Sequence, residues 1–166
     1  NAYFISEKAT IQADNINYYL IKDLVEVKGS KIFMTFKEGS INADKRLIFK
    51  NRDREILVDG NVNIIINKKG NIKAQNIVIK SDEIGNIILI KANGHVEIFL
   101  NTLKQKVNAN EAKFDLQNSK IDFLGKVVLQ QGKSFLKGDK ALVNLESGIS
   151  KISSNENRSV SGIFVK

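Results

Sequence analysis

The sequence has no cysteine, no proline and no tryptophan among its 166 residues, and it has one histidine. Without cysteine there is no disulfide framework, no thiolate zinc site and no thiol nucleophile. The histidine, His95, follows Asn93-Gly94 and lacks the second imidazole or thiol that a metal site needs. We therefore predict that His95 is a polar residue beside a turn, and we predict no metal and no cofactor.

Long apolar segments are also missing. The longest apolar runs, at 64–66 and 87–90, have the length of strands, whereas a membrane-spanning helix needs about 20 apolar residues. No helix start signal is followed by a 3.6-residue apolar period. With 42% apolar and 27% charged residues, the composition predicts a globular chain and not a disordered one.

Basic residues are spread along the chain, although the net charge is +8. The tightest basic clusters are pairs, such as Lys45-Arg46 and Lys68-Lys69, which favours a solvated surface over a nucleic-acid-binding arm. We predict no nucleic-acid partner. A basic polyanion-binding β protein stays open as an alternative, which steep salt-dependent binding to DNA or heparin would reveal.

Motifs for catalysis are incomplete. Gly132-Lys133-Ser134 resembles the end of a phosphate-binding loop, but Val127 stands where that motif needs its earlier glycine. The neighbouring carboxylates Asp82 and Glu83 fit a charged turn better than an acid/base pair. We predict no catalytic residue, so the protein is not expected to be an enzyme.

The strongest signal in the sequence is an internal repeat. A tetrad with a small third residue occurs at 11–14, 41–44, 72–75, 107–110 and 136–139, so the small residues are 30, 31, 35 and 29 positions apart. A second marker, a glycine at positions 29, 60, 94 and 125, keeps the same period. Two independent markers with one period indicate a repeat protein of about five copies.

Inside each repeat, apolar and polar residues alternate, as they do around Ala112, Phe114 and Leu116. This period of two is typical of strands with one buried face. Turn signals that contain glycine separate the runs, for example at 67–70 and 130–132. The sequence therefore predicts an all-β fold of about five two-stranded repeats of about 30 residues.

The apolar phase slips by one residue after four of the five small tetrad residues, namely Ala13, Ala74, Ala109 and Gly138. After Ala109, for example, it resumes at Ala112 instead of Glu111. Such a slip predicts a bulge or bend at which one strand passes from one sheet to another around a corner. Arg46 falls at the inward position of the second repeat, which departs from the pattern.

Two sheets that each have one apolar face must cover those faces with each other. The interior is then either a dry core or an apolar cleft between splayed sheets. The row of small residues either leaves room for such a cleft or marks where the sheets pack closest; it comprises Ala13, Ala43, Ala74, Ala109 and Gly138. The end strands have no protecting proline, which favours end-to-end addition of further copies.

These motifs resemble the LptA/OstA family of lipopolysaccharide-transport proteins. The resemblance rests on the recurring [Ile/Val]-x-Ala-[Asp/Asn] tract, on Gly60-Asn61-Val62, on the closing segment 138–148 and on the tail 158–164. It covers roughly residues 9–165. A parallel β-solenoid fits less well, because solenoid coils are shorter and lack hairpin turns.

The resemblance implies a V-shaped open β-jelly roll, with one domain at 9–166 after an N-terminal extension or edge strand at 1–8. It implies secretion to the periplasm, with the signal peptide removed, and acyl chains of lipopolysaccharide or a related glycolipid held between the sheets. It also implies end-to-end homo-oligomers and joining to membrane-anchored and outer-membrane components with homologous domains. Family positions that contact acyl chains correspond to Ala9, Ile11, Phe99, Phe114 and Leu116.

We add the inward positions of the alternating pattern to these candidate lipid-binding residues, namely Ile16, Tyr18, Ile64, Ile66, Ile77, Ile79 and Val127. The trough that they form is expected to be open at both ends. Within the family, the complete opening and closing motifs favour the soluble bridge over two alternatives, the periplasmic domain of the inner-membrane-anchored partner and a piece of the outer-membrane translocon. The precursor distinguishes them, since a cleavable signal indicates the bridge and an uncleaved anchor indicates the partner.

Overall fold

The computed structural model describes residues 2–6, 9–155 and 159–163, and the regular structure of these residues consists of antiparallel β-strands. The strands are β1 (Ala2–Ile5), β2 (Ala9–Ala13), β3 (Asn15–Tyr19), β4 (Leu24–Lys28), β5 (Ile32–Phe36), β6 (Gly39–Ala43), β7 (Arg46–Lys50), β8 (Glu55–Ile66), β9 (Gly70–Ser81), β10 (Ile87–Leu100), β11 (Gln105–Asp115), β12 (Lys120–Gln131), β13 (Ser134–Asn144), β14 (Ser150–Ser153) and β15 (Ser161–Ile163). The all-β prediction is confirmed. Among the described residues, no helix is long and apolar enough to cross a membrane.

One continuous sheet folds back on itself into two layers, because each long strand from β8 to β13 contributes one half to each layer. Layer 1 runs β3, β4, β7, then 55–59, 76–81, 87–93, 111–115, 120–124 and 140–144, and ends with β14. Layer 2 runs β1, β2, β5, β6, then 62–66, 70–74, 96–100, 105–109, 127–131 and 134–138, and ends with β15.

The two layers join at a corner where the long strands bend. At the bend the strand register shifts, as between Asp59 and Val62 and between Leu124 and Val127. Two consecutive residues there adopt positive φ, in the pairs Gly60-Asn61, Gly94-His95 and Gly125-Lys126. Only glycine enters this left-handed region without steric cost. The bend predicted from the phase slip is thus confirmed.

The two sequence markers meet in space at this corner. The last side chain of each of the first four tetrads lies against the marker glycine that follows it, so that Asp14 contacts Gly29 and Asn110 contacts Gly125. The Ser30 N–H donates to Asp14 Oδ2 at 3.0 Å, and Asn61 Nδ2 donates to Asp44 Oδ2. The shared period of the markers therefore has one cause, since each repeat builds one segment of a polar spine.

Arg46 does not occupy an inward position, and the expectation that it does is wrong. Its Nη2 forms an ion pair with Asp59 Oδ2 at 2.6 Å on the outer face of layer 1. Leu47 takes the inward position and is fully buried. The reason is that three residues, instead of two, separate the inward positions Ala43 and Leu47 at this corner.

The interior nearest the corner is a dry core. The small tetrad residues lie there beside Ile32, Val62, Val96 and Val127 of the neighbouring strands, and those that are alanine are buried. Between the corner and the far ends of the strands, Phe123 and isoleucines from both layers form one buried cluster with these alanines. The row of small residues thus lies at the corner, where each long strand passes from one layer to the other.

Candidate functional site

A cavity of about 510 Å³ lies between the two layers at the ends of the strands farthest from the corner. We call it the mouth cavity. Layer 2 and its turns contribute residues 66, 69–72, 98–100 and 102–103, and layer 1 contributes residues 87, 114, 116, 119 and 145–146. Its apolar lining consists of Ile66, Ile72, Ile87, Ile98, Phe99, Leu100, Leu103, Phe114, Leu116 and Leu145. The volume lies within the range of pockets that bind small ligands.

Exposure of the inward side chains rises from the corner to the mouth. In β8, Val62 and Ile64 are each 1% exposed, whereas Ile66 at the mouth is only partly buried. Leu103 and Leu145, from turns of opposite layers, are also partly buried. Apolar side chains at the mouth are therefore only partly buried in the folded chain. Exposed apolar surface of this kind is typical of a site that binds an apolar ligand or partner.

One end of the mouth cavity lies near a contact that bridges the layers. The Ser150 hydroxyl of β14 donates to Gln105 Oε1 of β11 at 3.2 Å, and Gln105 is 5% exposed. Leu103 lies beside Gly148, in the turn before β14. Both contacts cross from layer 2 to layer 1, so they hold the layers together on the C-terminal side of the cavity.

Four of the predicted lipid-binding residues border the mouth cavity, and three of them do so from the inner face. Ile66 and Phe114 have inward parity on their strands, and Leu116 continues the parity of Phe114 just after the end of β11. Phe99 lies between the inward residues Ile98 and Leu100, so its side chain belongs to the outer face of layer 2, and it is 41% exposed. The structure therefore brings only the first three together across the mouth.

Five other predicted residues lie in the dry core, where no described cavity reaches them. Ile64, Ile77 and Val127 are each 1% exposed, and Ile11 and Ile79 are each 4% exposed. They have the inward parity that the alternating pattern predicts. A ligand contacts them only when the two layers separate.

The remaining three predicted residues lie at the N-terminal end, away from the mouth cavity. Ala9 begins β2, and Ile16 and Tyr18 lie on the inner face of the end strand β3. Tyr18 is 56% exposed because none of the described strands pairs with the other edge of β3, and its hydroxyl donates to Asp23 Oδ1 at 3.3 Å.

The sequence pattern missed six of the apolar lining residues, namely Ile72, Ile87, Ile98, Leu100, Leu103 and Leu145. Leu100 has inward parity on β10, so alternation alone was sufficient to find it. Leu103 and Leu145 lie in turns, where a period of two carries no information. Aliphatic residues inside otherwise polar turns were the available signal.

Three glutamates on the outer faces, Glu26, Glu55 and Glu97, are paired with lysines. Glu97 Oε2 lies 2.6 Å from Lys106 Nζ, and its Oε1 lies 3.3 Å from Lys73 Nζ. The hydrogen bond from Lys106 lowers the pKa of Glu97, and the effect of Lys73 adds to it against a partial burial that raises the pKa. Within the described residues, no group of three His, Asp or Glu side chains is placed to hold a metal ion.

These pairs predict a loss of stability in acid. The pKa of Glu97 is lower in the folded chain, so its stabilising effect is complete above its unfolded pKa and is lost as the pH falls through its folded pKa. Urea unfolding should give a constant free energy from pH 7 to about pH 5, with a progressive decrease below. The Glu97→Gln variant should lose about 0.5 kcal/mol less between pH 5 and pH 3, as fits an exposed pair. Identical acid profiles would contradict this role.

Comparison with known proteins gives a family and a fold. Residues 40–149 and 106–161 match the model of the LptA/(LptD N-terminal domain) LPS transport protein family, so the matches together span 40–161. A search of the curated proteins finds no match. The chain superposes with a TM-score of 0.64 on LptH from Pseudomonas aeruginosa, which is the LptA homologous periplasmic component of a lipopolysaccharide transport device.

That superposition covers 95% of both chains at 9% sequence identity. At this identity the likeness concerns the fold alone. The predicted β-jelly roll is confirmed, because the two-layer open sheet described above is the fold of this relative.

Proposed function

The chain belongs to the LptA/LptD N-terminal domain family of lipopolysaccharide transport proteins, and from this premise we propose that it holds acyl chains of lipopolysaccharide, or of a related glycolipid, between its layers. The observation that supports this most directly is the mouth cavity, a solvent-facing opening with a mostly aliphatic lining drawn from both layers. Family membership makes it a transport protein.

The energetics of acyl chains fit this role. Removing one methylene from water is worth about 0.8 kcal/mol, so a chain of ten is held by roughly 8 kcal/mol. A carrier therefore needs a continuous apolar surface along the whole route. The mouth cavity offers the first part of that surface. We propose that the layers separate further around the lipid, which would bring the core residues Ile64, Ile77 and Ile79 into contact with it.

The end strands of the two layers support assembly with homologous domains. In the described part of the chain, β3 pairs only with β4, β1 only with β2, and both β14 and β15 only with β13. Each layer thus ends in a strand with unused backbone donors and acceptors, which another strand can pair with. We propose that copies of this chain, and membrane-anchored or outer-membrane components with the same fold, join there in the periplasm.

Mass spectrometry of lipid extracted from the purified protein tests the proposal. We expect a multiply acylated glycolipid at about one molecule per chain, and we expect the delipidated protein to bind a fluorescent fatty-acid analogue that this glycolipid displaces. A protein that is free of lipid and does not bind the analogue would rule the proposal out. Binding to heparin or DNA instead would indicate a polyanion-binding protein.

A further inference from the structure

The turns that border the mouth differ in charge between the two layers. The layer 2 lip consists of the turns at 37–38, 67–69, 101–104 and 132–133, and the layer 1 lip consists of those at 20–23, 51–54, 82–86, 116–119 and 145–149. The layer 2 lip has one carboxylate, Glu38, and five lysines, which are Lys37, Lys68, Lys69, Lys104 and Lys133. The layer 1 lip has three basic residues against five carboxylates. One rim of the mouth is thus cationic, and the other is slightly anionic.

Hydrogen bonds between successive turns fix the backbone of the layer 2 lip, which carries these lysines. The Asn67 N–H donates to the Glu38 carbonyl at 2.8 Å, and the Asn101 N–H donates to the Lys69 carbonyl at 2.9 Å. Gln131 Nε2 donates to the Leu103 carbonyl at 3.1 Å. Successive turns are two strands apart, which is roughly 10 Å. The lip is therefore a row of lysine-bearing turns whose backbones are regularly spaced.

These five lysines have no ion pair in the described part of the chain, whereas Lys73 and Lys106 on the outer face of the same layer share Glu97. Lys69 borders the mouth cavity itself. Lys68 and Lys104 occupy left-handed turn positions, with φ of 63° and 49°. Glycine or asparagine adopts this left-handed backbone conformation at lower cost than lysine does. The two lysines therefore add positive charge to the lip at a small conformational penalty.

We propose that the layer 2 lip binds phosphate groups on the headgroup of the lipid whose acyl chains enter the mouth cavity. Ammonium groups form strong charge-assisted hydrogen bonds with phosphate, and the carboxylates of the layer 1 lip repel it. The lipid is then oriented, with its chains between the layers and its phosphates on one rim. This inference rests on the proposed function and adds the chemical class of the headgroup and its location.

A pair of charge-matched variants tests the inference. The lip variant combines Lys68→Gln, Lys69→Gln, Lys104→Gln and Lys133→Gln. The control combines Lys91→Gln, Lys113→Gln, Lys140→Gln and Lys151→Gln, which lie on the outer face of layer 1 and have no ion pair among the described residues. Both lose four charges, and thermal melting checks that both fold. The probes are bisphosphorylated lipid A, the same lipid without phosphates, a fluorescent fatty acid and inorganic phosphate.

We expect the wild-type chain to bind the phosphorylated lipid at least tenfold more tightly than the dephosphorylated one. The lip variant should lose this difference and still bind the fatty acid, and the control should keep it. Inorganic phosphate at the same concentration should displace neither lipid. Provided that the fatty acid still binds, any one of three results would overturn the inference. They are equal binding of both lipids by the wild type, an equal loss in the control variant, and displacement of the lipid by free phosphate. If no acyl probe binds, the proposed function fails as well.

Discussion

Replacing Leu116 with aspartate is expected to weaken binding of an acyl-chain probe about a hundredfold and to leave the fold intact. Leu116 lies at the mouth, half-buried, and lines the cavity opposite Ile66 and Leu103. An acyl chain that entered would strip water from the new carboxylate, which costs about 3 kcal/mol even with partial compensation. The Leu116 N–H keeps its bond to the Ile88 carbonyl, at 3.1 Å, in the variant. Fluorescence titration with the fatty-acid analogue measures the loss.

Leu142→Asp provides the matched control. Leu142 is the same residue type, is also half-buried and belongs to layer 1, but it faces outward between Asp122 and Lys151. The Leu142→Asp variant should bind the acyl-chain probe as tightly as the wild type does. Unchanged binding in Leu116→Asp would remove Leu116 from the lining. Phe114 is a less clean target, because it is 5% exposed and a charge there would also damage the core.

Gly70→Ala is expected to destabilise the protein by about 3 kcal/mol or more. Gly70 lies opposite Leu100 where β9 and β10 pair, at a φ of 147°. A Cβ at this position would collide with the Phe99 carbonyl oxygen, which is backbone and part of the paired strand. The two strands must then separate at the floor of the mouth cavity. Urea unfolding measures the change in the free energy of unfolding.

Gly85→Ala separates this collision from the cost of the backbone conformation. Gly85 also has a positive φ, 92°, but nothing lies within 4 Å of an added Cβ. The control should therefore lose only about 1 kcal/mol, the usual cost of a left-handed alanine. Equal losses in the two variants would mean that the collision at Gly70 is relieved without separating the strands.

The repeat made much of the fold predictable, because its markers report local physics. The period of two gives the strands, and the small tetrad residues with the following glycines give the bends. Each of these depends on a few residues of one strand and its neighbour, as Asp14 and Gly29 do. The prediction for Arg46 was wrong because the corner of the second repeat contains one more residue than the other corners. A period counted along the sequence does not reveal such an insertion.

The site was less predictable, because depth between the layers is a long-range property. Ile64 and Ile66 are two residues apart with the same parity, yet one is in the dry core and the other is at the mouth. Their difference depends on how far the layers have diverged at that point. Phe99 was named by the family resemblance, and it lies on the outer face, where the alternating pattern does not place an inward residue.

The corner spine has a consequence for how this architecture changes in evolution. Each bend is built from one tetrad and the next glycine, so a unit of about 30 residues carries everything needed to turn its own pair of strands. Duplicating or deleting one such unit lengthens or shortens the molecule by roughly 10 Å and leaves its cross-section unaltered. The length of the protein can therefore change only in whole steps of one repeat.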